Sequence, residues 1–334
     1  MTLSNSIFAV SGAATFLDAR KDMSNLFACN TSMEPHPGLL TVGGSSAANG
    51  NVVVGMSNRM AVTVRPFQAV LNRLGALLIM NDGDVVVSLK AAPSANSRID
   101  VVYVKQRERR PPISDSEDGP IIGVVTGTAN LTPVAPRVPD GAVALAQVKV
   151  PSGVTNTTAS GVVITQVYPF AATRGEELRF HTKSEMDAFF ALDGTKATTV
   201  SDNAHYVRYS GKWINRTLTY SRSGLSTAND ELSIGGSFVY RSGGLYLLLT
   251  CRWVNKGGFT SNRWFKHALC NITNPVTVIR ETSQVMMENI AYEHLGKNCL
   301  TVEGKQIAYQ TAGDIPIPEN CWHNASLIAP VDVD

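Results

Sequence analysis

The chain has 334 residues, 44% of them apolar and only 17% charged, and its formal net charge is +2. Basic and acidic residues nearly balance, at 29 against 27, which leaves no electrostatic case for nucleic acid as a partner. No apolar run approaches the roughly 18 residues needed to span a bilayer, and Met1 to Val10 lacks the basic start of a signal peptide, so neither membrane insertion nor secretion is expected.

The first 14 residues, rich in Ser, Gly and Ala, read as an extended arm. Thr15 to Asp18 can form a capping box, and Phe16, Ala19, Met23, Leu26 and Phe27 then follow at helical spacing. That helix is expected to pack on the next domain, or else to dock on a neighbouring subunit. From Gly38 the pattern becomes β. Met60, Val62 and Val64 alternate with polar or small residues. Leu77–Met80 and Val85–Leu89 flank Asn81–Asp84, which reads as a hairpin turn. Three more strands follow, around Ile99–Val104, Ile121–Val125 and Val143–Val150. In the last, Ala146, Val148 and Val150 should face a core and Gln147 and Lys149 water. Between the first two lies Lys105 to Pro120, the most charged stretch of the chain. Its mixed signs and paired prolines read as a solvated excursion. Gly161 to Thr165 closes this β-rich domain, and Pro169 ends it.

Thr182 to Glu185 opens a short helix with Met186, Phe189 and Phe190 on its apolar face and Gly194 as its stop. Tyr206 to Ile214 reads as a hairpin around Ser210-Gly211. Beyond it the chain is strand-rich. Phe238–Arg241 and Leu245–Val254 form a second hairpin, and Val276–Ile279, Cys299–Val302 and Gln306–Tyr309 add strands. Several short strands in this length predict a β-sandwich of jelly-roll type. The fold class expected is therefore mainly β. Cys29, Cys251, Cys270, Cys299 and Cys321 form no C-x-x-C pair, so no metal site is expected; an odd count favours reduced thiols, with one disulfide among the four Cys after residue 250 as the alternative. No Walker loop or Rossmann glycine pattern occurs, and no cofactor is expected.

One stretch is also familiar. Asn96-Ser97-Arg98-Ile99-Asp100-Val101-Val102-Tyr103-Val104 is followed by Val124-Val125-Thr126-Gly127-Thr128-Ala129. Then come Ala135-Pro136 and, after Arg137, the run from Val138 to Gly153. With its flanks, about Pro37 to Gly175, this resembles the N-terminal module of minor tail or baseplate receptor-binding proteins of long-tailed phages (siphoviruses) of Gram-positive, chiefly actinobacterial, hosts. The resemblance implies a virion part with an arm and helix over 1–36 and an attachment domain over 37–175. A helix–hairpin bridge over 176–214 and a receptor-binding sandwich over 215–334 would follow. It also implies other tail or baseplate proteins as partners, host surface polysaccharide or teichoic acid as receptor, and a homotrimer.

The residues themselves carry no catalytic word. Asp230, Glu231, Glu281, Glu288, Glu293, Glu303, Asp314 and Glu319 are scattered, not paired as glycan hydrolysis requires. An enzyme is not expected, although a tail-associated depolymerase and a purely structural baseplate subunit are the alternatives. Sugar rings stack on indoles, and Arg, Lys, His and Asn bond their hydroxyls or anionic substituents. Trp253, Asn262, Arg263, Trp264, Lys266, His267 and Trp322 are therefore the candidate glycan-binding residues.

Overall fold

The computed structural model describes residues 15–29, 34–40, 51–223, 231–254, 259–261, 266–286, 288–289, 298–311, 314–317 and 322–334. The protein is mainly β, as expected, with 53% strand against 6% helix. It forms two compact units, Met1–His181 and Thr182–Asp334. The helix of the expected arm thus belongs to the first unit, and the expected bridge falls, from Thr182, within the second. The arm itself, residues 1–14, lies outside the described residues.

The first unit runs α1 (Phe16–Ser24), β1 (Gly38–Leu40), β2 (Val53–Gly55), β3 (Ala61–Val64), β4 (Phe67–Asn72), β5 (Ala76–Asn81), β6 (Val85–Ser88), β7 (Arg98–Arg107), β8 (Gly119–Val125), β9 (Val143–Val150), β10 (Val163–Gln166), β11 (Phe170–Ala171) and β12 (Leu178–Phe180). Three sheets, in the orders β11-β1-β4-β5, β2-β3-β6 and β10-β9-β7-β8, share one core. The three strands around Ile99, Ile121 and Val143 do form one sheet, with β7 in the middle. On β9 both Leu145 and Ala146 are buried, because a bulge opposite Val102 and Tyr103 shifts the alternation there by one residue.

One expectation fails in this unit and another holds only in part. Asn81–Asp84 is not a hairpin turn: β5 pairs with β4, whereas β6 pairs with β3 in another sheet. The tight turn is instead Arg73-Leu74-Gly75, where Leu74 and Gly75 both take positive φ, at 61° and 119°. The stretch from Lys105 to Pro120 is a solvated excursion only in part: residues 109–112, 114 and 116–118 are exposed, but the loop is anchored. Asp115 accepts from Lys105 Nζ at 2.7 Å and from the Glu108 N–H at 2.9 Å, and it pairs with Arg73. Arg20 of α1 pairs with Glu108 and donates to the Arg73 carbonyl at 3.1 Å. Ile113 is buried beneath the loop. Opposite charges that look solvated in sequence find one another in space, and the loop is riveted to α1 and the β4–β5 turn.

The capping box of α1 is as expected, with Thr15 accepting from the Asp18 N–H at 3.2 Å and Asp18 from the Thr15 N–H at 2.9 Å. Its buried residues, however, are Asp18, Arg20 and Ser24, while Leu26 just beyond it is exposed. Ser24 Oγ donates to the Arg20 carbonyl at 2.8 Å and accepts from the Ala76 N–H at 2.9 Å. The helix is seated by these polar contacts together with part of the expected apolar face: Met23 packs against the cluster of Phe27, Val70, Ala76 and Ala171.

The second unit runs α2 (Lys183–Ala188), β13 (Lys196–Thr199), β14 (His205–Tyr209), β15 (Lys212–Asn215), β16 (Tyr220–Arg222), β17 (Glu231–Arg241), β18 (Gly244–Val254), β19 (Phe259–Ser261), β20 (His267–Ile272), β21 (Val276–Met286), β22 (Glu288–Asn289), β23 (Asn298–Gly304), β24 (Gln306–Thr311), β25 (Ile315–Ile317) and β26 (Trp322–Val333). Both expected hairpins are present. Ser210-Gly211 and Ser242-Gly243 have positive φ at both central positions, the backbone that a two-residue hairpin turn requires. Nine strands form one antiparallel sheet, ordered β16-β20-β24-β23-β21-β26-β18-β17 with β22 on β26. The sheet curls around its core. Thr217 bridges Ser237 of β17, and three residues later β16 pairs with β20, so one stretch of chain touches both edges. Leu245, Leu247 and Leu249 of β18 face Leu327, Ala329 and Val331 of β26 on the buried side. Each buried Leu contributes roughly 1.5–3 kcal/mol.

Candidate glycan-binding site

Trp253 is not part of a glycan surface. Along β18 every second residue points inward, and Leu245, Leu247, Leu249 and Cys251 put Trp253 on the same side. It is 0% exposed. Its ring stacks on His323 of β26, with centroids 4.8 Å apart and planes 21° from parallel, and lies 5.1 Å from Tyr309 of β24. It is a core residue.

Asn262, Arg263 and Trp264 lie outside the described residues. So does the Trp322 side chain, although its backbone pairs with Val254 at the start of β26. Lys266 and His267 are adjacent at the start of β20, and both are half-buried. Lys266 pairs with Glu303 of β23. At about a third exposed, that pair is screened by solvent and holds the ammonium in place only weakly. Burial lowers the pKa of His267, which keeps its ring neutral at pH 7. Of the seven candidates the structure thus leaves Lys266 and His267, neighbours in sequence, half-buried at the start of β20 and puts Trp253 in the core.

His323 was not singled out by its sequence context. It is 0% exposed, and neither ring nitrogen has a hydrogen-bond partner among the described residues. Burial lowers its pKa to about 4. Nothing within Trp322-His323-Asn324 marks this burial; only the pairing of Trp253 with His323 across β18 and β26 does. Cys251 and Cys270 are free thiols pushed up to about 12 by burial, so they are poor nucleophiles. Among the described residues no His, Cys, Asp and Glu side chains converge as a metal site.

The outer side of β17, β18 and β26 is a further surface that sequence inspection passed over. The register sets Ser237, Leu248 and Ile328 in one row and Val239, Tyr246 and Pro330 in the next. Thr250 and Ser326, then Arg252 and Asn324, continue it. Leu248 and Ile328 are exposed and Tyr246 is half-exposed.

The word Asn96-Ser97-Arg98-Ile99-Asp100 gains a physical meaning. Arg98 and Asp100 share one face of β7 and form a buried ion pair at 2.9 Å. Arg98 also donates to the carbonyls of Lys90 and Ala91, both at 2.6 Å. Asp100 accepts from the Gly127 N–H at 3.0 Å. A Cβ on Gly127 would sit 2.1 Å from the Ile99 carbonyl oxygen, so only glycine fits. Set against protein-family models, curated proteins and solved structures, the chain matches none of them.

Proposed function

We propose that this protein is a tail-tip or baseplate adhesin of a long-tailed phage. Its first unit attaches it to the virion, and its second unit binds host surface glycan or teichoic acid. One observation carries the reading: the stretch that resembles phage tail modules, from Asn96 to Gly153, supplies three of the four strands of one sheet in the first unit, with Arg98, Asp100 and Gly127 of its words interlocked. The second unit has a core of its own, as a separate binding head would. On this reading the glycan contacts lie in the stretch from Asn262 to His267, with Trp322 as a further contact. The assembly is a homotrimer, since identical weak sites on one axis gain avidity.

The burial of Trp253 favours a second reading, a purely structural baseplate subunit. Immunogold labelling of purified particles and competition for adsorption separate the two. Tip labelling together with blocked adsorption by the purified chain supports the adhesin. Tip labelling without competition supports the structural subunit. Particles that never carry the chain refute both.

A further inference from the structure

Between β8 and β9 the chain makes a long excursion without helix or strand, and its middle is ordered in steps of three. Leu131 is 85% exposed and Val134 is 80% exposed. The side chains of Arg137 and Asp140 are each 88% exposed. From Pro133 to Pro139 the residues between these four are all only half-exposed. The prolines fall at 133, 136 and 139, also in steps of three. Proline locks φ near −65°, and the residues before it, here Thr132, Ala135 and Val138, are driven to extended backbone. This spacing favours polyproline II backbone, in which residues three apart share an edge, and the most exposed positions, 131, 134, 137 and 140, follow that step.

One end of the segment is tied to the residue before β7, and the other closes in a turn. The Asn130 N–H donates to the Ser97 carbonyl at 2.9 Å, and the Ala142 N–H to that of Pro139 at 3.0 Å. The three prolines restrict the backbone of the ridge, which lowers the entropy lost on binding. Two exposed aliphatic side chains followed by a cation have no packing role there. Arg137 pairs with Asp140 at 2.9 Å, but a pair this exposed is easily exchanged.

We propose that Leu131, Val134 and Arg137 form a docking ridge for another protein of the particle. Its partner presents a groove lined with aromatic rings, which takes the two aliphatic side chains and the proline edges, and a carboxylate that takes the guanidinium. This rests on the virion reading above and adds the surface and the kind of partner.

The test uses the full chain supplied in trans during infection with a phage lacking it. Copies per purified particle are counted by quantitative mass spectrometry. Leu131→Ser/Val134→Ser and, separately, Arg137→Glu should each melt like wild type and be depleted roughly tenfold or more. A photo-crosslinking residue in place of Val134 should join a particle protein through an aromatic-rich peptide. If wild type and both variants are packaged equally, the ridge is refuted and the virion reading stands. If wild type itself is absent from particles, both fall. Should the double variant melt lower, Arg137→Glu decides alone.

Discussion

Replacing Asp115 with alanine should loosen the whole face of the first unit that α1 covers. The carboxylate is 15% exposed and takes Arg73, Lys105 and the Glu108 N–H together. Its loss leaves two cations facing each other with little water to screen them. Removing one partner of a buried pair costs about 3–5 kcal/mol, and the residual exposure puts this site at the lower end, about 3 kcal/mol. For a unit of this size each kcal/mol shifts Tm by roughly 2–4 °C, so a fall of about 6–12 °C is expected. The Arg73 guanidinium, with Lys105 and the Glu108 N–H behind it, holds the Asp115 carboxyl well below the usual carboxylate range. A group lowered in this way stabilises the fold above its unfolded value near 4 and loses that contribution only as pH falls through the folded value. The gap between wild type and Asp115→Ala should therefore stay constant from pH 7 to about 4 and close below it. Scanning calorimetry of the full chain measures the gap, and limited proteolysis between Glu108 and Asp118 reports the loop. A shift under about 2 °C with the loop still protected would show that the rivet carries no stability and that the loop merely rests on the surface.

Other expectations follow from the second unit. Trp253→Ala should cost about 3–5 kcal/mol, as for loss of a buried Trp, and be read as loss of the second unit's melting transition; near-wild-type melting would return Trp253 to the surface. His323 titrates near 6.5 when unfolded and about 4 when folded. The second unit should therefore be fully stable above about pH 6.5 and lose up to about 3 kcal/mol as pH falls toward 4. His323→Phe should flatten that melting profile, and an unchanged slope would exonerate the imidazole. Trp264→Ala should leave melting within about 1 kcal/mol and weaken binding to susceptible cells by about 2 kcal/mol; a large drop in Tm would make it a core residue.

What sequence revealed was local. The capping box at Thr15 and Asp18 and the Ser210-Gly211 and Ser242-Gly243 turns depend on neighbours within a few positions, and all three appear where expected. What it hid was pairing at a distance. The signal at Asn81–Asp84 marks a change of direction but not the sheet that the next strand joins. The buried polar side of α1 makes sense only beside Arg73 and Glu108, far along the chain. Trp253 was legible all along: the two-residue step from Leu245 puts it inside, and its chemistry outweighed its parity in the reading of the sequence. The candidate stretch from Asn262 to Trp264 rests on residue type.

β26 occupies the middle of the large sheet, between β18 and β21, yet it is the last strand in the chain. During synthesis the β17–β18 hairpin must wait, with one long edge open, until all the strands from β19 to β25 have emerged. Contacts this distant in sequence form slowly, and an open apolar edge invites wrong partners in the meantime. Production of this protein should therefore be limited by completion of the sheet, improving with slower translation and cooler growth. Removal of residues 322–333 would part the β17–β18 hairpin from the five strands that run from β16 to β21 in the sheet order.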